Sequence, residues 1–167
     1  MAAPRPATPD DLPGIRHIID HYIVHTPINF KAVPLTGTEA AEWFDRFSPT
    51  GRHRLFVTTG ADTVTGFACT GPFVFRCAYD TTVMATVYLH PDHTRAGLGT
   101  ALYTTLFDAI KEEDIHRITA GITQPNPGSV ALHRKFGFTD VGTFTEAGRK
   151  FGKFHDVLWM ERPLHLQ

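Results

Sequence analysis

The stretch Met84–Thr100, MATVYLHPDHTRAGLGT, carries the reading of the whole chain. Together with the preceding Val83 it alternates as a strand. Val83, Ala85, Val87 and Leu89 lie on one side, and Met84, Thr86, Tyr88 and His90 on the other. Gly97 and Gly99 then put bare backbone at the start of a helix, where unpaired N–H groups and the helix dipole favour an anion such as a phosphate. Glycines at a strand-to-helix turn also serve close packing alone, so the loop by itself is a weak signal. A Walker loop would need Gly-Lys-Ser/Thr at its end. A dinucleotide fingerprint would need a third glycine near Leu102 within a parallel βαβ unit.

Outward from this loop, Leu98, Leu102, Leu106, Ala109 and Ile110 mark a helix of about four turns, and HRITAGIT reads as a buried strand. QPNPGSVALHRKFGF carries a short helix ended by Gly137, and TDVGTFTEAG and KFHDVLWMERPL close the chain as two strands. Upstream, Thr8 caps a first helix with Pro9 at its start and Leu12, Ile15, Ile19, Tyr22 and Ile23 on its buried face. The residues before Thr8 form a short first strand. An irregular, proline-rich connection, TPINFKAVPLTG, leads to a second helix capped by Thr38. HRLFVTT and TVTGFACTG form a hairpin around a glycine turn, and PFVFRCAY continues extended. The fold class expected is mixed α/β (α+β), with a largely antiparallel central sheet.

The 167 residues fit one domain, 1–167, and suffice for a substantial core without metals or disulfides. A formal net charge of −1 with interspersed signs offers no long-range attraction to nucleic acid or an acidic membrane. Cys69 and Cys77 lack zinc spacing and disulfide density, read as small apolar strand residues, and suggest a reducing, cytoplasmic home. No signal pattern and no apolar run of membrane-spanning length is seen. Ten histidines invite a metal reading. Yet His17, His21 and His25 lie opposite the apolar face of the first helix and read as a solvated stripe, and His90 and His93 flank a turn with Asp92 alone, so no metal is expected.

The order of elements and the loop TRAGLGTAL resemble the GNAT superfamily of N-acetyltransferases, and within it the phosphinothricin and methionine sulfoximine N-acetyltransferases. The resemblance covers nearly the whole chain. It runs through IIDHYIVHTPINF, GPFVFRCAYDTTV, TVYLHPDH, GLGTALYTTL, QPNPGSVALHRKFGF and GRKFGKFHDVLWMER. It implies a strand-loop-helix site for acetyl-CoA. The backbone of Val87, Tyr88 and Leu89 would hold the pantetheine arm and the thioester carbonyl. Arg95, Ala96, Gly97, Leu98, Gly99 and Thr100 would wrap the pyrophosphate, and Asn126 and Ser129 would lie against the cofactor. The position usually filled by arginine or glutamine is Thr94, which weakens a cradle still dominated by backbone donors.

Acetyl transfer from a thioester to an amine needs a neutral amine, a polarised carbonyl and a stabilised leaving thiolate. By resemblance, polarisation falls near Tyr88, and His133, where the phosphinothricin group also carries histidine, would relay a proton; without the resemblance it reads as a structural helix histidine. The amine-side glutamate of that group is here Met84, whose thioether accepts no proton. Water held by Thr86, or His133, would then substitute. Arg76 would fork onto the carboxylate of an amino-acid-like substrate, with Phe75 and Tyr79 as pocket walls; a strand-edge salt bridge and core packing are the other readings of these residues. The resemblance also implies a homodimer, with KFGKFHDVLWM in its interface. The leading reading is an acetyl-CoA-dependent N-acetyltransferase acting directly on a small amine. The alternatives are an acyl-CoA-binding module that has lost efficient transfer, and an acetyltransferase for protein amines.

Overall fold

A computed structural model describes residues 3–60, 63–94 and 97–165. The described residues form seven strands and four α-helices. Strands β1 (Arg5–Pro6), β2 (Leu55–Gly60), β3 (Thr63–Pro72), β4 (Thr82–Leu89), β5 (Arg117–Thr123), β6 (Thr139–Lys150) and β7 (Lys153–Pro163) build one sheet in the order β1-β2-β3-β4-β5-β7-β6. Every neighbouring pair is antiparallel except β4 and β5. The mixed α/β architecture with a largely antiparallel sheet is therefore the observed one.

The period-two pattern of β4 sorts its side chains onto two cores. Val83 and Ala85 pack with Leu102, Tyr103 and Leu106 of α3 (Leu98–Ala109) on the face also covered by α4 (Pro127–Lys135). On the opposite face, Ile15, Ile18 and Ile23 of α1 (Leu12–His25) and Ala40 of α2 (Gly37–Phe44) pack on Val57, Phe67 and Cys69, with Tyr88 against them. Each such fully buried aliphatic side chain contributes roughly 1.5–3 kcal/mol relative to exposure, so both layers are firmly held to the sheet.

The structure corrects several local expectations. Thr8 leads a 3₁₀ turn, Pro9–Asp11, before α1 begins at Leu12. The Asp11 carboxylate accepts from the Thr8 N–H at 2.8 Å and from Arg5 at 2.7 Å, and these bonds hold its pKa below the usual carboxylate value. Helix α2 is capped by Thr36, not Thr38. The Thr36 N–H donates to Glu39 Oε2 at 2.8 Å and the Glu39 N–H to Thr36 Oγ1 at 3.2 Å, a reciprocal capping box. PFVFRCAY is not extended. Strand β3 ends at Pro72, the Arg76 N–H turns back onto the Val74 carbonyl at 2.8 Å, and Cys77–Tyr79 is a 3₁₀ turn. Cys77 is consequently exposed and outside any strand, whereas Cys69 is buried in β3. His17 and His25 are exposed and His21 half-buried; His17 stacks on His90 with centroids 5.7 Å apart.

Candidate active site

The parallel pair β4–β5 is joined only at Thr82, Met84 and their neighbours: the register runs Thr82↔Arg117, Val83↔Ile118, Met84↔Thr119 and stops. Beyond Met84 the two strands splay, β4 staying with β3 and β5 with β7. The edge of β4 from Ala85 to Leu89 therefore faces a gap instead of a ladder partner, with N–H and C=O groups able to pair with a peptide-like chain. A cavity of ≈ 470 Å³ occupies this gap.

Its walls come from several elements. Thr86, Val87, Tyr88 and Leu89 supply the β4 side, and Gly121, Ile122 and Thr123 the β5 side. Gly97 to Thr100 form one end. Gly97 is the N-cap of α3 at φ +77, and the Ala101 N–H, bonded to the Gly97 carbonyl at 3.0 Å, begins the helical ladder, which leaves the N–H groups of Leu98, Gly99 and Thr100 as helix-start donors. Asn126 and Ser129, at the start of α4, line the same cavity; Asn126 Oδ1 accepts from the Ser129 N–H at 3.1 Å, capping the helix. Arg95 and Ala96, also expected in the anion loop, lie outside the described residues. The first turn of a helix, a bare glycine and an unpaired strand edge in one cavity fit a ligand with a phosphate at one end and amides along its length.

His133 lines the cavity, is only 3% exposed, and has both ring nitrogens occupied. Nδ1 lies 2.8 Å from the Ser129 carbonyl oxygen, which only accepts, so Nδ1 carries the proton. Nε2 is then the acceptor for the Tyr103 hydroxyl, 2.9 Å away and fully buried. Burial pushes the imidazole pKa below its ordinary value and so disfavours the charged ring. Among the described lining residues the other ionisable side chains are Tyr22 and Tyr88. The Tyr22 hydroxyl donates to the Leu89 carbonyl at 2.9 Å, and burial raises its pKa; burial pushes the Tyr88 phenol up to about 12.

Met84 shares its face of β4 with Thr86 and Tyr88 and is half-buried. The row across the sheet at its level is Gly71, Met84, Thr119 and Glu161. Glu161 stands two strands from Met84, roughly 10 Å between backbones at the usual strand spacing, and lies 3.9 Å from Arg117. Two rows further, Cys69 sits opposite Thr86, and burial pushes its thiol up to about 12. Phe75, Arg76 and Tyr79 do not line the cavity. Phe75 and Arg76 border a separate open depression with Arg46 and His53, and Phe75 is 80% exposed. The turn after Pro72 carries them there. It remains tied to the cavity through aromatic contacts: Tyr79 meets Phe73 at 5.8 Å, Phe73 meets Trp159 at 5.9 Å, and the Trp159 ring covers Gly121 of the β5 wall.

Residues 5–159 match the family model described as "Acetyltransferase (GNAT) domain". The chain belongs to the GNAT acetyltransferase family. Among GNAT relatives, it is 44% identical over 162 residues to a phosphinothricin N-acetyltransferase of Streptomyces coelicolor, covering 96% of this chain and 95% of the relative. It is 30% identical over 160 residues to an L-methionine sulfoximine/L-methionine sulfone acetyltransferase of Pseudomonas paraeruginosa, with 96% and 93% covered. The solved structure of a GNAT phosphinothricin acetyltransferase from Sinorhizobium meliloti in complex with AcCoA superposes with a TM-score of 0.91 at 28% identity, over 98% of this chain and 89% of that one. The β4–β5 splay and the glycine-capped α3 are thus the GNAT framework carried by this sequence.

Tyr22, Ile28, Gly121 and Thr123 line the GNAT cavity without having been singled out from the sequence. Tyr22 reads there as part of an apolar helix face. For Gly121 and Thr123 a signal existed, because RITAGIT places Thr119, Gly121 and Thr123 opposite Ile118, Ala120 and Ile122. Among the described residues no group of three or more His, Cys, Asp or Glu side chains is placed to hold a metal, and no helix is long and apolar enough to cross a membrane.

Proposed function

We propose that this chain transfers the acetyl group of acetyl-CoA to the primary amine of a small amino-acid-like molecule, and that the amine attacks as the neutral species without a protein base. The observation that carries this is the splayed cavity. It joins helix-start N–H donors at one end to a lining in which no Asp, Glu, Lys or Arg stands among the described residues. Acetyl-CoA supplies the acetyl thioester: as the C–N bond forms the C–S bond breaks, and the amine's proton ends on the released thiol through water.

The chain's own groups bind, orient and exclude. The N–H groups of Gly97 to Thr100 meet the pyrophosphate. The edge of β4 at Val87, Tyr88 and Leu89 pairs with the pantetheine amides, and a strand N–H near Tyr88 polarises the thioester oxygen. Asn126 and Ser129 support the arm from α4. Thr86 orders the water that carries the proton. His133, neutral and bonded at both nitrogens, serves as an oriented wall and not as the base, since taking a proton at Nε2 would break its bond to Tyr103. Proximity and carbonyl polarisation supply the rate. An α-amine with pKa about 8 is already partly neutral near pH 7.

The aromatic bridge from Tyr79 through Phe73 to Trp159 supports placing the 73–80 turn at the rim of the acceptor end, with the Arg76 guanidinium engaging a substrate carboxylate and Phe75 and Tyr79 beside it. One transferase domain spans the chain, a reading supported by a single sheet running from β1 to β7. The exposed Phe144, Phe151 and Phe154 on β6–β7 support a homodimer through this hairpin, which light scattering tests, and the two unpaired cysteines suit a reducing cytoplasm.

The test is thiol release from acetyl-CoA across an amine panel that includes phosphinothricin and methionine sulfoximine. Turnover with amino-acid-like amines supports the proposal. Tight acetyl-CoA binding with no turnover on any amine would make the chain the acyl-CoA-binding module that Met84 also suggests.

A further inference from the structure

Lys150 ends β6 at the tip of the β6–β7 hairpin, beside a turn through Phe151 and Gly152 at positive φ. A lysine at such a tip ordinarily reaches into water, yet Lys150 is only 9% exposed. Its ammonium turns inward and donates to the carbonyls of Ile23 at 2.6 Å and Asn29 at 2.5 Å, with the Phe151 ring centroid 5.2 Å away. Ile23 lies in the last turn of α1, where carbonyls lack helical partners and the dipole favours a cation. Asn29 lies in the segment that follows.

That segment is a wall of the cavity. Ile28 lines it, the Ile28 carbonyl accepts from Thr123 Oγ1 of the β5 wall at 3.4 Å, and Thr26 Oγ1 ties the segment to the Tyr22 carbonyl at 2.8 Å. A second contact comes from the same hairpin. The Phe30 ring lies so close over Gly148 that any Cβ there would overlap it. One charged contact, at the Asn29 carbonyl, and one steric contact, at the Phe30 ring, therefore hold the end of the segment against the hairpin.

We propose that Lys150 is a positioning residue: it clamps Thr26–Phe30 to the end of α1 and so sets the shape of the acceptor side of the cavity, without touching the acetyl-CoA side. Its role in acceptor affinity rests on the transferase reading above; the clamp itself does not. Losing it frees Ile28 and its neighbours in Thr26–Phe30, while the Tyr22 hydroxyl stays bonded to the Leu89 carbonyl of β4 and the α3 helix start keeps its place.

The experiment pairs Lys150→Met, which keeps the stem and removes the charge, with Lys150→Arg and Gly148→Ala, and reads two quantities in the full chain. Hydrogen exchange of residues 24–31, measured without substrates, is expected to accelerate about tenfold or more in Lys150→Met and in Gly148→Ala, and less in Lys150→Arg. With a turned-over amine, the acceptor KM is expected to rise about tenfold while the acetyl-CoA dissociation constant stays within about twofold. Unchanged exchange in both Lys150→Met and Gly148→Ala overturns the clamp, whether or not the chain turns over any amine. Acceptor and acetyl-CoA affinities falling together overturn the assignment to the acceptor side. If Lys150→Met does not fold, Gly148→Ala and Lys150→Arg decide by the same two readouts.

Discussion

Met84→Glu puts a carboxylate on the face of β4 that carries Thr86 and Tyr88, next to the cavity wall that begins at Ala85, two residues before Thr86 and about 7 Å from it along the strand. The position is half-buried, and its row holds Gly71 and Thr119 on the adjacent strands, neither of which is charged. Desolvation there raises a glutamate above its ordinary value of about 4.3, toward the range in which a carboxylate works as a general base near neutrality. The gain is bounded by what the wild type lacks. An acceptor of pKa about 8 is roughly one-tenth neutral at pH 7 and nine-tenths neutral at pH 9. A base that deprotonates the bound ammonium therefore raises kcat/KM about tenfold at pH 7 and leaves it nearly unchanged above pH 9. The assay is thiol release from acetyl-CoA with methionine sulfoximine, at fixed pH values from 6 to 10, on both proteins. Urea unfolding checks that the variant remains folded after an expected loss of about 1–2 kcal/mol. A variant-to-wild-type ratio that stays flat with pH, or lies below one throughout in a folded protein, would refute the reasoning that the amine is deprotonated before it reaches the site.

Three further outcomes follow from the same geometry. Tyr103→Phe leaves the buried Nε2 of His133 without its donor, which costs about 2 kcal/mol and roughly 4–8 °C in Tm for a chain of this size. With His133 in the proposed role of an oriented wall, kcat/KM falls less than about threefold; a tenfold loss at unchanged stability would assign His133 to proton transfer. Arg76→Gln removes the group proposed to meet the acceptor carboxylate, so the acceptor KM rises at least about tenfold, as for a charged hydrogen bond of about 1.5–3 kcal/mol, with the acetyl-CoA KM unmoved; an unmoved acceptor KM would place the 73–80 turn outside the site. Gly97→Ala forces a Cβ onto a backbone at φ +77, which destabilises by about 1–2 kcal/mol and raises the acetyl-CoA KM by disturbing the first N–H groups of α3; acetyl-CoA binding by calorimetry checks it.

The local patterns that placed the site were legible. Alternation along β4 assigned Val83 and Ala85 to one core and Tyr88 to the other, and Gly97 marked the start of α3. The capping box at Thr36 was legible too, since Thr36 and Glu39 stand three apart, but Thr38 competes for the same role on type alone. PFVFRCAY reads as extended because its β-branched and aromatic residues fit a strand. No partner strand is offered beyond Pro72, and Phe73 instead finds Trp159, a contact 86 positions away (159 − 73). Long-range pairings of this kind leave no periodicity. The Tyr103 hydroxyl that occupies His133 and the Lys150 ammonium that reaches Ile23 are set by tertiary packing, as is the point beyond Met84 where β4 and β5 part. The family resemblance therefore points to a cofactor loop and to a glutamate replaced by Met84, while the occupancy of both His133 nitrogens is set by the fold.

The central claim is that the acceptor arrives neutral and the chain supplies no base. Its most direct measurement is the pH dependence of kcat/KM at saturating acetyl-CoA for two or more turned-over amines whose pKa values differ by at least about one unit. The predicted result is a rise of slope one with a midpoint that moves with the pKa of each amine. A midpoint that stays at one pH for every acceptor would contradict the account and place a titrating base in the chain, with Glu161, on the row of Met84, and His133 the first groups to replace.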